Sequence, residues 1–307
     1  MSSASTGSAA GTGNLTHRVI AVVAGDEREQ EIARLAALTG AEVRAFGFPW
    51  RDGGIAGVIR AESARAALAG ADYALFPIPG LADDGSLFAP DHPEPIVPDS
   101  DLLAPMRTGA VIVLGLADES LRRCAAALDI GLREYEHDTE LMLLRGPAIV
   151  EGALQVAIQH TDITLHAARI GIVGYGNVGR LLARTLVLLG AEVHLFARNR
   201  IQRADSYTAG CRPHELDDLP AEAGSLDMIV NTVPVALVGE AVLRALPPTA
   251  FVMDLAAPPG GVDLAAAQRL GLRAVWARGL GRRAPITVGR SQWQGIERLI
   301  TEIEEGR

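Results

Sequence analysis

Two hydrophobic periods alternate along this chain. Short apolar runs rich in β-branched side chains and closed by glycine or proline read as buried strands: "RVIAVVAG", "AEVRAFGF", "ADYALFPIPG" and "GAVIVLG". Around them, "EREQEIARLAALTG", closed by Gly40, and "SLRRCAAALD" space their apolar residues three and four apart, which predicts helices. The intervening "DDGSLFAPDHPEPIVPDSD" is rich in proline and acid and reads as a loop. From Arg169 onward the alternation returns, with strands "RIGIVG", "EVHLFA", "DMIVNTVP", "AFVMDLAAP" and "RAVWARG" separated by helical patterns. Strands apolar on both faces that alternate with helices predict parallel, doubly wound sheets. The expected fold class is therefore α/β, with two doubly wound Rossmann-like domains.

Between the halves lies "GPAIVEGALQVAIQHTDITLHAA", where Pro147 suits a first helical turn and one apolar stripe continues to Leu165. This predicts a bridging helix over 147–168 that walls one side of a cleft between the domains. The amphipathic "RSQWQGIERLITEIEE" predicts a last helix packing back on the junction. The expected organisation is a disordered leader over 1–16, an N-terminal substrate or partner domain over 17–146, the bridge, a dinucleotide-binding domain over 169–288 and a C-terminal helix over 289–307.

Gly174-Tyr175-Gly176-Asn177-Val178-Gly179 follows an apolar strand and opens a helix that ends at Gly190. Gly174 makes the tight turn, Gly176 lets the backbone approach a pyrophosphate, and Gly179 lets helix and strand pack closely; the N–H groups at the helix start face the phosphates. The next strand ends in Ala197, Arg198, Asn199 and Arg200, where an NAD-selective site carries an acid for the ribose 2′-hydroxyl. Two guanidiniums there pair with a 2′-phosphate instead, so NADP is expected over NAD. The loops Asn231-Thr232-Val233-Pro234 and Asp254-Leu255-Ala256 end the following strands and are expected to flank the nicotinamide.

Composition narrows the chemistry. All 28 basic residues are arginine, which excludes a Schiff-base lysine, a P-loop lysine and a lysine base. The net charge of −9 argues against nucleic acid and anionic membranes as partners. Cys124 and Cys211 match neither a disulfide framework nor a metal-site spacing, so no metal and a reducing cytoplasm are expected. The start "MSSASTGSAAGTGNL" has no secretory pattern, and no run reads as a membrane span.

Together "VIAVVAGDEREQEIARLAALTGAEVRAFGF", "VEGALQVAIQHTDITLHAARIGIVGYGNVGR", "NTVP" and "DLAAPPGG" resemble the family of dipicolinate synthase A subunits. The "AIQHTD" run just ahead of the fingerprint is not a general Rossmann feature. The resemblance covers both halves of the chain. It implies oxidation of a dihydrodipicolinate-type cyclic diacid to dipicolinate during sporulation, in concert with a flavoprotein-like B subunit. It also raises Glu151, Thr161 and His166 as catalytic candidates on the bridging helix. Where the family keeps a lysine this chain has Ile286, so the clamp for the substrate carboxylates falls to Arg145, Arg282 and Arg283. A homo-oligomer is expected. Two alternatives stand beside this reading: a 2-hydroxyacid-dehydrogenase-like enzyme, and a non-catalytic NADP-holding scaffold for a catalytic partner.

Overall fold

The computed structural model of the protein describes residues 14–50, 52–82, 84–135 and 138–306. Residues 1–13 of the expected leader lie outside this set. In chain order the first elements are β1 (Val19–Val23), α1 (Glu27–Leu38), β2 (Glu42–Phe46), β3 (Val58–Arg60), α2 (Ala64–Leu68) and β4 (Tyr73–Leu75). They are followed by α3 (Ser100–Leu103), β5 (Val111–Leu114), α4 (Glu119–Ala127), β6 (Gly131–Glu134) and α5 (Thr139–His160). The second half contributes β7 (Arg169–Val173), α6 (Asn177–Leu188), β8 (Glu192–Phe196), α7 (Arg200–Thr208), β9 (Arg212–His214) and α8 (Leu219–Glu222). After these come β10 (Met228–Asn231), α9 (Glu240–Ala245), β11 (Phe251–Asp254), α10 (Leu264–Arg269), β12 (Arg273–Trp276) and α11 (Pro285–Glu305).

The chain divides into two units, 1–142 with 284–307, and 143–283. Each holds a six-stranded parallel sheet, ordered β3-β2-β1-β4-β5-β6 in the first and β12-β11-β10-β7-β8-β9 in the second. Both orders reverse beside the first strand of the sheet, as in a doubly wound fold.

In the second unit the period of two explains the continuous apolar strands. Ile170, Ile172, Val193, Leu195, Met228 and Val230 pack on one face with α5 and α6. Val173, Phe196, Ile229 and Val252 face the other way, onto Leu219, Val242 and Ala266 of α8, α9 and α10. Helices cover both faces, so each strand is buried on both. In the first unit Asp26 caps α1: its carboxylate accepts from Arg28 N, and the Glu29 carboxylate accepts from Asp26 N at 2.8 Å.

Two boundaries differ from the sequence expectation. The long helix runs Thr139–His160 and not 147–168; Pro147 lies inside it, and residues 161–168 are irregular. Asp138 explains the earlier start, since its carboxylate accepts from Glu140 N at 2.9 Å and Leu141 N at 3.2 Å. The last helix starts at Pro285 and belongs to the first unit. There Gly289 lies against α1, Gly295 against Leu141, and Glu304 accepts from Arg18 Nε at 3.0 Å.

By length and composition alone α5 would qualify as a membrane span, contrary to the sequence expectation, with a mean hydropathy of 1.4 over its best window. Val150, Ala153 and Ala157 are nevertheless buried in the core of the second unit, and its other face carries Glu151, Gln155 and Gln159. Part of its apolar length is thus the face of a core helix, while Leu143, Leu144 and Ile158 are exposed.

Candidate functional site

The fingerprint loop is built around a single crossing point. Gly174 follows β7 with φ +95°, in the left-handed region that glycine occupies without strain. Its N–H donates to Phe196 O at 2.9 Å. A Cβ on Gly179 would overlap Gly174 O, so the helix reaches the strand only because that side chain is missing. A Cβ on Gly176 would meet no atom within 4 Å. The space in front of Gly176 is open, and the first N–H groups of α6, from Asn177, Val178 and Gly179, have no side-chain cap. This cradle fits a pyrophosphate.

A cavity of about 400 Å³ continues from that cradle. Gly174, Tyr175 and Gly176 form its floor; Phe196, Ala197, Arg198 and Asn199 form the wall at the end of β8; Leu216, Val233, Val235 and Leu237 supply apolar sides. No described residue lining it is acidic. Arg198 is exposed on the wall, whereas Arg200, the first residue of α7, is exposed but does not line the cavity. Asn199 serves as the cap of α7, accepting from Ile201 N at 2.8 Å. Two lining or supporting residues escape a reading of the sequence. Gln202 donates to Tyr175 O at 3.2 Å and lines the cavity. Arg203 donates to Ala197 O at 2.8 Å, to Arg198 O at 2.9 Å and to Glu215 Oε1 at 2.9 Å, and so fixes the backbone that presents Arg198. Both lie one helical turn beyond the strand end, and that spacing is the available signal.

Asn231 and Asp254 were expected at the cofactor; the structure gives them another task. Both are buried, and Asn231 Nδ2 donates to Asp254 Oδ1 at 2.8 Å and to Val233 O at 2.9 Å. Asp254 also accepts from Ala256 N at 3.0 Å, Gly261 N at 2.7 Å and Val262 N at 3.0 Å. The pair is therefore a node that holds two loops beyond the carboxyl ends of β10 and β11. Thr232 acts similarly: its hydroxyl donates to Val173 O at 2.9 Å beneath the glycine loop. Val233 lines the cavity, Pro234 is exposed, Leu255 is half-buried, and Ala256 accepts from Trp276 Nε1 at 2.9 Å.

The catalytic candidates separate into two groups. Helix α5 runs antiparallel to the strands. Near its start in this unit Gly146 lies against Leu181 of α6; further on, Gly152 lies against Leu280, and Glu151 pairs with Arg283, both beyond the carboxyl end of β12. Its end, His160, stacks on Phe251 at the first residue of β11, with ring centroids 5.4 Å apart. Glu151, Arg282 and Arg283 thus stand toward the carboxyl edge of the sheet, as does half-buried Arg145. Thr161 and His166 do not. The Thr161 hydroxyl donates to Ala157 O at 2.8 Å and closes the helix, while His166 packs on Gly190 beyond the far end of α6. Ten residues of helix separate Thr161 from Glu151, about 15 Å along the axis. Thr161 and His166 belong to the opposite edge, where they join α5 to β7. The helical pattern of the sequence extends past the true helix end, and that continuation misplaces both residues.

A second buried polar group sits in the first unit, where its sheet order reverses between β1 and β4. Arg28 grips Asp26 through two bonds of 2.7 Å. Beside them, Glu29 is pushed up to about 7, chiefly by burial; Arg28 opposes the shift and Asp26 adds to it. A buried carboxyl raised in this way at a switch point was not anticipated from the sequence.

Comparison with known proteins agrees with this fold. Residues 19–135 match the family described as the N-terminal domain of the dipicolinate synthase A subunit. The A subunit of dipicolinate synthase from Bacillus subtilis (strain 168) is 30% identical over 296 residues, covering 95% of this chain and 100% of that protein. The chain belongs to the family of dipicolinate synthase A subunits. Residues 145–258 match the NAD-binding domain of D-isomer specific 2-hydroxyacid dehydrogenases. The crystal structure of the dipicolinate synthase A subunit from Bacillus halodurans superposes with a TM-score of 0.85 at 30% identity, covering 94% of this chain and 99% of that one. That of the Bacillus subtilis protein gives 0.81 at 29% identity, covering 94% and 97%. This member of the family is an oxidoreductase of the dehydrogenase type, and its second unit is a domain for a nicotinamide dinucleotide.

Proposed function

We propose that this protein is an NADP-dependent oxidoreductase that converts a dihydrodipicolinate-type cyclic diacid to dipicolinate in the cytoplasm, together with a flavoprotein-like B subunit. The observation that carries the cofactor choice is Arg198 on the wall of a dinucleotide cavity whose described lining contains no carboxylate. A guanidinium there pairs with a 2′-phosphate in fork geometry, and no acid repels it. Arg203 holds the backbone carbonyls of Ala197 and Arg198, so the guanidinium starts from a fixed base.

Bound NADP+ supplies the acceptor for a hydride. The chain's own residues have three tasks: hold two substrate carboxylates, orient the ring and take a proton from it. Arg282 and Arg283, on the turn after β12, meet the first task together with Arg145. Glu151, joined to Arg283 at the carboxyl edge, is the candidate base. Aromatisation of the ring favours the products, so a weak base suffices.

Two measurements test these assignments. Isothermal titration calorimetry is expected to show tighter NADP than NAD binding, and Arg198→Ala to erase most of the difference, about 1–3 kcal/mol for a charge-assisted contact. NAD binding equal to or tighter than NADP by the unmutated chain would remove the assignment. For the clamp, the double variant Arg282→Ala/Arg283→Ala is expected to raise the KM for the diacid at least tenfold, about 1.4 kcal/mol, with NADP affinity unchanged. Unchanged KM in steady-state assays with the flavoprotein-like partner present would exclude these arginines. If no diacid turned over under those conditions, the non-catalytic scaffold would replace the enzyme.

A further inference from the structure

On the outer part of the dinucleotide-binding sheet, outside the cofactor cavity, three side chains from separate elements converge. His194 lies on β8, His214 on the edge strand β9, and Glu222 ends α8. One ligating atom from each lies within 4.8 Å of the other two. His194 Nδ1 is 3.0 Å from His214 Nε2, and the two rings are nearly parallel, with centroids 5.1 Å apart and planes 6° apart. On its other side His194 Nε2 lies 3.1 Å from Glu192 Oε1, a carboxylate also bonded by Arg212 Nη1 at 2.8 Å.

We propose that His194, His214 and Glu222 bind one divalent transition metal of the zinc class. A metal-bound imidazole commonly donates its second N–H to a carboxylate, which fixes tautomer and ring orientation. Glu192 is placed to accept that proton from His194, leaving the Nδ1 lone pair directed into the cluster. Without metal, the N–H on His214 Nε2 fills that lone pair. On binding, the ion takes the place of this proton and His214 carries its hydrogen on Nδ1. Two imidazole nitrogens bound tetrahedrally at 2.0–2.1 Å stand about 3.3 Å apart, so the pair must open by a few tenths of an ångström and the rings must turn to aim both lone pairs at the ion.

The donor set selects the ion. Two imidazoles with one carboxylate suit zinc and its neighbours, whereas magnesium and calcium prefer oxygen donors throughout. Three protein ligands leave the fourth position to water. Nothing in the linear sequence points to the cluster, because 194, 214 and 222 fall in no recognised spacing and become neighbours only when β9 pairs with β8. The site also has a structural consequence. His214 stacks on Phe196 at 4.9 Å, and both Phe196 and Leu216 line the cofactor cavity. A metal would therefore pin the short edge strand that supports this wall.

The test is a titration of chelator-treated full-length protein with Zn2+ alone, followed by Co2+ and its visible absorption. One ion per chain is expected, with the intense d–d bands of four-coordinate cobalt. His194→Ala and His214→Ala are each expected to weaken binding at least a hundredfold, and Glu192→Ala, which removes only the orienting carboxylate, by about 10- to 100-fold. If the alanine variants fail to fold, His214→Asn and Glu222→Gln serve in their place and must abolish the cobalt bands. Absence of stoichiometric Zn2+ binding would overturn the proposal, as would binding that these substitutions leave unchanged.

Discussion

Gly176→Val is expected to reduce dinucleotide binding by more than a hundredfold while the protein remains folded. The two halves of this expectation come from one observation: a Cβ at Gly176 meets no atom of the protein within 4 Å. The added side chain therefore enters space that the fold does not use and that a pyrophosphate must cross to reach the N–H groups of α6. Loss of charge-assisted contacts to two phosphates, at about 1.5–3 kcal/mol each, accounts for the size of the effect. Gly179→Ala is the contrasting variant, because its Cβ would overlap Gly174 O and must displace the backbone itself. Calorimetric titration with NADP, paired with thermal unfolding, separates the two. Gly176→Val should keep its melting temperature and lose the ligand; Gly179→Ala should lose stability. Normal dinucleotide binding by Gly176→Val would show that the loop is not a phosphate cradle.

Asp254→Ala is expected to destabilise the dinucleotide-binding domain by about 3–6 kcal/mol, a large fraction of the 5–15 kcal/mol that stabilises a typical native domain. The carboxylate is 1% exposed and accepts from Asn231 Nδ2 and from the N–H groups of Ala256, Gly261 and Val262. Removing it leaves those donors buried without that acceptor, at about 1–3 kcal/mol for each donor that water cannot reach. Asp254→Asn should cost less, since an amide oxygen still accepts while its NH2 group opposes the remaining donors. Urea unfolding followed by tryptophan fluorescence gives the difference, and Trp276, hydrogen-bonded to Ala256 O, reports directly on the loop. A loss below about 1 kcal/mol for Asp254→Ala would mean that the four bonds do not act as a structural node.

The two expectations rest on different kinds of legibility. Gly174, Gly176 and Gly179 are readable in the sequence because their demands are local: a tight turn, an open approach and a close helix–strand crossing occupy six consecutive residues. The internal strands β1, β2, β4, β5, β7, β8, β10 and β11 are readable for the same reason, each being an apolar run closed by turn residues, and so is the edge strand β12. The other three edge strands, β3, β6 and β9, are not. "VIR", "GLRE" and "RPH" are short and none of their residues is fully buried, and pairing with a neighbouring strand defines them more than any pattern of their own.

For the functional residues the same division holds. Arg198 could be named from the sequence because it ends the strand after the fingerprint, a fixed offset in this fold. Which arginine lines the cavity was decided by tertiary structure: Asn199 caps α7, which turns Arg200 onto the helix and leaves Arg198 on the wall. Tertiary structure also separated Glu151 from Thr161 and His166, because the helix closes at His160 and the later residues fall to the opposite edge. The apolar pattern continues past that point, and periodicity does not register where hydrogen bonding stops. Asp254 and the His194–His214–Glu222 cluster depend on residues brought together from separate strands and loops. The sequence by itself determined the fold class, the cofactor class and the cradle. The roles of individual polar side chains were set by pairings across the sheet, because a carboxylate or imidazole takes its function from the donors that the fold places around it.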